Sequence, residues 1–218
     1  MHAPPPDSAQ VLFDGTTLDA FSGRSKSGLT WLVEDGVLIV DQAAGDLYSR
    51  DSFGDCRLHL EWLSPAGGAG QLSGNSGIKL QGRYEIQILN SPGEPHVLSD
   101  REAGAIYAFK APDRNASTGA DAWQSYDIWF TAPRWEGDQK VADATITLFW
   151  NGVLVHDRVE VPGKTGASDP EGPDPAPLLL QAHASDASGP VRFRNMWIVR
   201  DPAPPPVTEA QRKGRPTR

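Results

Sequence analysis

Short stretches that alternate apolar and polar residues with a period of two recur along the whole chain. Among them are Asp55 to Leu63, Ile78 to Leu89, Trp123 to Ala132, Ala144 to Trp150 and Val191 to Arg200. In an extended strand such alternation buries one side and leaves the other polar, whereas an amphipathic helix needs apolar residues at i, i+3, i+4 and i+7. No window before the C-terminal tail has that second spacing together with a plausible cap. The dipeptides Asp35-Gly36 and Asn151-Gly152 stand between alternating runs and predict tight hairpin turns. Many short strands without long helices imply an all-β fold, two antiparallel sheets packed as a jelly-roll sandwich. Trp62, Tyr126, Phe130, Trp150 and Phe193 fall in phase with aliphatic neighbours and are expected in the core, while Trp129 and Trp135 do not.

A chain of 218 residues suits one such domain. We expect an extended segment over 1–10, a sandwich over 11–200, and an extended, weakly packed tail over 201–218, where Pro202-Ala203-Pro204-Pro205-Pro206 precedes Arg212, Lys213, Arg215 and Arg218. Three Gly-, Pro-, Asp- and Ser-rich loops, 91–103, 111–122 and 163–177, are long enough to wall the mouth of a groove. The formal net charge of −8 argues against nucleic acid or an anionic membrane surface as partner. No run approaches the roughly 20 apolar residues of a membrane helix, and the first residues lack the apolar segment of an export signal. The compartment stays open, with the periplasm or the exterior favoured if a signal has been trimmed. The single Cys56 allows no internal disulfide and reads as a small buried thiol.

The polar halves of several strands carry reactive residue types. Glu85 and Gln87 share one face opposite Tyr84, Ile86 and Ile88; Lys79 and Gln81 do the same against Ile78 and Leu80. Arg57, His59 and Glu61 oppose Leu58, Leu60 and Trp62, so Glu61 and Glu85 would flank one groove if their strands lay in one sheet. Two carboxylates can divide acid and base work; the alternative is that they pair with Arg57, Lys79 or Arg83 across the sheet. Gln181 and His183 alternate with Leu178 and Leu180, and Arg194 flanks Phe193. Such groups converging on rigid strands suit a small polar ligand, a sugar above all. Phosphate-loop, His-Glu-x-x-His, Gly-x-Ser-x-Gly and dinucleotide-binding patterns are absent from the sequence.

Read in order, Leu12-Phe13-Asp14-Gly15, Glu34-Asp35-Gly36-Val37-Leu38, Gly45-Asp46-Leu47, Leu60-Glu61-Trp62 and Gly74-Asn75-Ser76-Gly77 form a recurring set. It continues through Arg83-Tyr84-Glu85-Ile86-Gln87-Ile88-Leu89, Gly104-Ala105-Ile106-Tyr107, Gln181-Ala182-His183 and Phe193-Arg194-Asn195-Met196-Trp197. Together these resemble the 3-keto-disaccharide hydrolase family, formerly a domain of unknown function, over about 11–200. The resemblance implies a concanavalin A-like sandwich that cleaves glycosides already oxidised to a ketone at C3, with a small carbohydrate as partner. A C3 ketone acidifies the C2 proton, so a base can form the enolate, the enolate can expel the C1 substituent, and water can add back. The catalytic candidates the resemblance implies are Glu61, Glu85 and His183: Glu85 or His183 as the base, and Glu61 with Gln87 at the leaving group. Lys79 or Arg194 would stabilise the enolate, and Asn75, Arg83, Tyr107 and Gln181 would join Lys79, Gln87 and Arg194 in holding substrate. A non-catalytic carbohydrate-binding module and a conventional two-carboxylate glycosidase are the alternatives. Where the family pattern leads us to expect Asp between Gln181 and His183, this chain has Ala182. No cofactor is implied, although oxygen ligands at the carboxylates leave room for calcium or manganese.

Overall fold

The computed structural model describes residues 3–23 and 30–213. Two antiparallel sheets face each other across one hydrophobic core. The chain lays down β1 (Gln10–Phe13), β2 (Phe21–Gly23), β3 (Leu32–Glu34), β4 (Val37–Ile39), β5 (Leu47–Phe53), β6 (Cys56–Leu63), β7 (Ser76–Leu80) and β8 (Tyr84–Ile88). It continues with β9 (Gln124–Thr131), β10 (Arg134–Glu136), β11 (Gln139–Ala142), β12 (Ala144–Trp150), β13 (Val153–Val161), β14 (Ala176–Leu180) and β15 (Arg192–Arg200). The large sheet runs β13-β12-β9-β6-β15-β4-β3, with β1 also on β15; the small sheet runs β2-β5-β14-β7-β8; β10 and β11 form a separate hairpin.

The turn signals do what the residue types require. Asp35 and Gly36, and Asn151 and Gly152, all have positive φ, 51° and 78° in both pairs. Left-handed backbone at both central positions is the twist that a two-residue hairpin demands. The core is the set of in-phase residues: Trp62, Tyr126, Trp150 and Phe193 are fully buried, and Phe130 nearly so. Trp62, Tyr126 and Trp150 pack on one another with centroids 5.2 to 6.4 Å apart. Gly104 is fixed by this packing, since a Cβ there would stand 2.8 Å from Trp150 Cε3. Cys56 is buried, and burial pushes its thiol up to about 12.

No described residue of the tail is buried, yet a few contacts tether it and its described end is helical rather than extended. Trp129 Nε1, on the outer face of the large sheet, donates to the Ala203 carbonyl at 3.1 Å, and the tail ends in a short helix, α1 (Glu209–Lys213). Arg212 pairs with Asp157 at 3.0 Å and Arg114 donates to Gln211 O, so the proline-rich stretch is strapped at both ends. Arg215 and Arg218 lie outside the described residues, as do Met1 and His2.

The separation of sheets decides where the polar residues go. β6 sits in the large sheet and β8 in the small one. Leu60 pairs with Tyr126 on the core side while His59 pairs with Asp127 on the outer side, so Glu61 points outward from the large sheet. Glu85 points outward from the small sheet, opposite Tyr84 and Ile86. The expectation that Glu61 and Glu85 flank one groove is therefore corrected: the core lies between them.

Candidate active site

The outer face of the small sheet is covered rather than solvated. The chain between β13 and β14 folds back over β7 and β8, and each contact is specific. Thr165 Oγ1 accepts the Glu85 N–H at 2.7 Å, Thr165 N donates to Arg83 O, and Asp169 N donates to Gly82 O. Arg83 ties down the far end of the loop through the carbonyls of Gly172 and Asp174, 3.1 and 3.2 Å away. Tyr84 reaches Glu171 from the core side. On the other flank Tyr107 N donates to Glu85 O, and Gln71 Nε2 donates to Arg101 O at 2.9 Å. Of the three loops expected to wall a groove, 163–177 covers this face and lines a cavity through Ala167, 91–103 only braces the lining residues Gln71 and Tyr107 through Arg101, and 111–122 contributes no lining residue.

This cavity, of about 130 Å³, is lined by Gln71, Asn75, Glu85, Gln87, Tyr107, Ala167, Gln181 and His183. Glu85 is 3% exposed and Gln87 1%. Glu85 is wedged between glycines: a Cβ at Gly77 would fall 2.7 Å from Oε1, and one at Gly166 would fall 2.9 Å from Oε2. Lys79 Nζ stands 3.4 Å from Glu85 Oε2 and donates to Ala167 O at 2.7 Å, so it backs the carboxylate instead of lining the cavity. Burial raises the Glu85 pKa, Lys79 and then His183 offset only part of that rise, and Asp46 adds to it. A carboxylate kept above its ordinary range beside a cavity has the character of a general base or acid.

The rest of the lining consists of hydrogen-bonding groups, two of them unmet. Asn75 Nδ2 donates to Gln71 O at 2.7 Å, and Gln87 Nε2 donates to Asn75 Oδ1 at 3.2 Å. That aims the Gln87 amide, yet its Oε1, like Oε1 of Gln181, is buried with no partner among the described residues. Buried acceptors without donors are costly, so both are suited to ligand hydroxyls. His183 Nδ1 lies 2.7 Å from the Ala184 carbonyl; a carbonyl only accepts, so Nδ1 carries a proton and Nε2 is the nitrogen left for a ligand. The Tyr107 hydroxyl lies 3.3 Å from Arg101 and 3.5 Å from Gln71.

Glu85, His183, Asn75, Gln87, Gln181 and Tyr107 therefore meet as the sequence suggested. Glu61, Arg194 and Arg83 do not. Arg194 Nε binds Glu61 Oε2 at 2.7 Å and stacks over Trp123 at 4.0 Å on the far side of the molecule. There Asn195 also donates to Glu61 Oε1 at 2.8 Å, and fully buried His59 stacks on Trp197 while facing Asp127 at 3.2 Å. Arg83 serves the loop. Four contributors were not among the expected site residues: Gln71, on a short 3-10 turn; Thr165 and Ala167, in the covering loop; and Asp46, ahead of β5. None belongs to an alternating run, so periodicity offered no signal for them. Among the described residues no group of three or more His, Cys, Asp or Glu is placed to hold a metal ion. No described helix is long and apolar enough to cross a membrane.

An antiparallel jelly roll with a small, amide-lined cavity holding one buried carboxylate defines a concanavalin A-like sandwich of the carbohydrate-active kind. The sequence profile of the 3-keto-alpha-glucoside-1,2-lyase-like domain matches residues 8–199, and the chain belongs to that family. A crystal structure from Parabacteroides distasonis ATCC 8503, named a "putative glycosyl hydrolase", is 35% identical with a TM-score of 0.80, over 90% of this chain and 85% of that one. Two further structures of that name from the same organism share the fold at 19% and 20% identity, with TM-scores of 0.64 and 0.60. They cover 90% and 89% of this chain and 95% and 100% of their own. No curated protein matches the chain.

Proposed function

We propose that the chain cleaves 3-keto-glycosides by removing the C2 proton, eliminating the C1 substituent and hydrating the product. Glu85 is the base. The single observation that carries the reading is a buried carboxylate with a raised pKa on the wall of a cavity whose amide acceptors lack donors. Removing a proton next to a ketone needs a base stronger than a solvated glutamate, and burial supplies that strength. The C2–H electron pair moves into the C2–C3 bond as the C3 carbonyl becomes an enolate. The enolate then re-forms the ketone, the double bond shifts to C1–C2, and the C1–O bond breaks. His183 Nε2, once protonated, gives its proton to the departing oxygen; Tyr107 and the Asn75 and Gln87 amides surround the sugar hydroxyls and the enolate oxygen. Water then adds at C1 and gives its proton to His183 Nε2, which restores the acid, while Glu85 returns the proton to C2, so the net change is hydrolysis.

The two-carboxylate alternative loses its second member, because Glu61 lies across the core and is held by Arg194 and Asn195. A binding module would use exposed aromatic platforms, whereas Tyr107 is the one Tyr, Trp or Phe among the residues lining the cavity. The test incubates the protein with 3-keto-trehalose or a 3-keto aryl glucoside beside the unoxidised parents. Release of the free 3-keto sugar from the oxidised compounds alone is expected. Turnover of the parents at a comparable rate would refute the proposal, as would turnover of neither.

A further inference from the structure

Resting on that reading, we propose that Asp46, which does not line the cavity, is a positioning residue for it, holding the segment that delivers Gln181 and His183. β14 ends where Leu180 pairs with Leu47 and Ile78. Beyond that point its two neighbours divide the work. On the β7 side Gln181 N donates to Gly77 O at 2.9 Å, and Ser76 Oγ donates to Gln181 O at 2.7 Å. On the β5 side the strand has already stopped, and the next N–H, that of Ala182, would face no backbone carbonyl. Asp46 Oδ1 accepts it at 2.8 Å. A side-chain oxygen thus stands in for the missing rung and fixes the direction in which the chain leaves the sheet, one residue before His183. Asp46 is itself held in place. Gly45, before it, has a φ of +73°, and its carbonyl accepts the buried Trp31 Nε1–H at 2.8 Å.

The carboxylate has a second consequence. The charged and titratable groups that bear on Glu85 are Lys79 on β7, His183 beyond β14 and Asp46 ahead of β5, with the Tyr107 ring closing the side toward Gly166. Lys79 and His183 favour the ionised glutamate and Asp46 opposes it. Positioning and charge can be separated by two substitutions. Asp46→Asn keeps an oxygen acceptor for Ala182 N–H and removes the charge; Asp46→Ala removes both.

The test follows the Glu85 carboxyl by carbon-13 NMR titration, in parallel with kcat and KM on a 3-keto aryl glucoside across pH. Asp46→Asn should titrate Glu85 at lower pH and shift the acidic limb of kcat/KM the same way, with kcat at the plateau within about threefold of the parent. Asp46→Ala should show the same titration shift, lose kcat by about tenfold or more, and broaden or move the His183 ring resonances. An Asp46→Ala protein with unchanged kcat, unchanged His183 resonances and unchanged Glu85 titration would overturn the inference. So would equal losses of kcat in both variants, because the retained acceptor should rescue the Asn form. The NMR arms need no turnover, so failure of the parent protein on every 3-keto substrate would reject the proposed reaction while still leaving Asp46 to be judged.

Discussion

The outer faces of the two sheets start from the same kind of sequence and reach different ends. On the large sheet the carboxylates of Asp127 and Glu61 face partners: Arg57 meets Asp127 at 2.8 Å, His59 lies beside Asp127, and Arg194 and Asn195 close on Glu61. On the small sheet Glu85 has one cationic neighbour at 3.4 Å, while the oxygens of Gln87 and Gln181 wait beside a cavity. The first arrangement pairs its carboxylates with cations; the second leaves acceptors unmet on the wall of a cavity. Their electrostatics differ accordingly. Burial raises Asp127, but the hydrogen bonds and charges of His59 and Arg57 outweigh it and hold the group below its ordinary value; Glu85 sits above its own. Alternation of polar and apolar residues marks both faces alike, and a cavity beside unmet acceptors and a raised carboxylate tells the site from the scaffold.

The strongest way to break this contrast is to neutralise one carboxylate on each face. Glu85→Gln should lower kcat on a 3-keto-glycoside by about a thousandfold or more while stability stays within about 1 kcal/mol of the parent. Glu61→Ala should do the opposite, retaining most of kcat but losing about 2–3 kcal/mol in denaturant unfolding, since Arg194 loses its carboxylate partner and Asn195 one of its acceptors. Catalysis lost with Glu61 and kept with Glu85 would invert the assignment of the two faces.

A smaller effect is expected from crowding the base. Gly77→Ala would put a methyl 2.7 Å from Glu85 Oε1, and displacing a catalytic group by that order should cost about 10- to 100-fold in kcat/KM. Stopped assays would show it, and an unaffected variant would mean that Glu85 has room the structure denies it.

The pH dependences of the faces should also diverge. Glu85 has a raised pKa in the folded state, so its contribution to stability is fully present below the ordinary glutamate value of 4.5 and is lost as pH rises through the folded pKa. Asp127 has a lowered pKa, so its contribution is present above the ordinary aspartate value of 3.8 and is lost as pH falls through the folded pKa. Thermal unfolding across pH should therefore show Asp127→Asn flattening the acid loss of stability and Glu85→Gln leaving it in place. The acidic limb of kcat/KM should lie above 4.5 in the parent. The smallest effect belongs to the tail: Arg212→Ala breaks an exposed pair and should change stability by no more than about 0.5 kcal/mol and activity not at all.

Much of this was legible in the sequence, for local reasons. Asn151-Gly152 forms its hairpin because those residues tolerate positive φ, and Trp62, Tyr126 and Trp150 enter the core because strand period places them there. Glu85 and Gln87 stood out because a strand with polar residues of those types on its second face is not an ordinary solvated strand. The partition of strands between sheets was not legible. Nothing in Arg57 to Glu61 says that β6 pairs with β9 and β15 instead of β7 or β8, and that choice alone sent Glu61 and Arg194 to the other side. Composition pointed to 163–177 as a wall but not to its contributing residues, because Thr165 and Ala167 become part of the site only when 163–175 folds over β8, a long-range contact with no periodic signature.

The central claim is that Glu85 removes a proton from C2 of a 3-keto sugar. A 3-keto sugar lacking any substituent to expel at C1, 1,5-anhydro-3-ketoglucitol, isolates that step when it is incubated in heavy water and deuterium at C2 is followed by NMR. The protein should exchange C2 well above the buffer rate, and Glu85→Gln should return it to that rate. Exchange no faster than buffer, or undiminished in Glu85→Gln, would contradict the account.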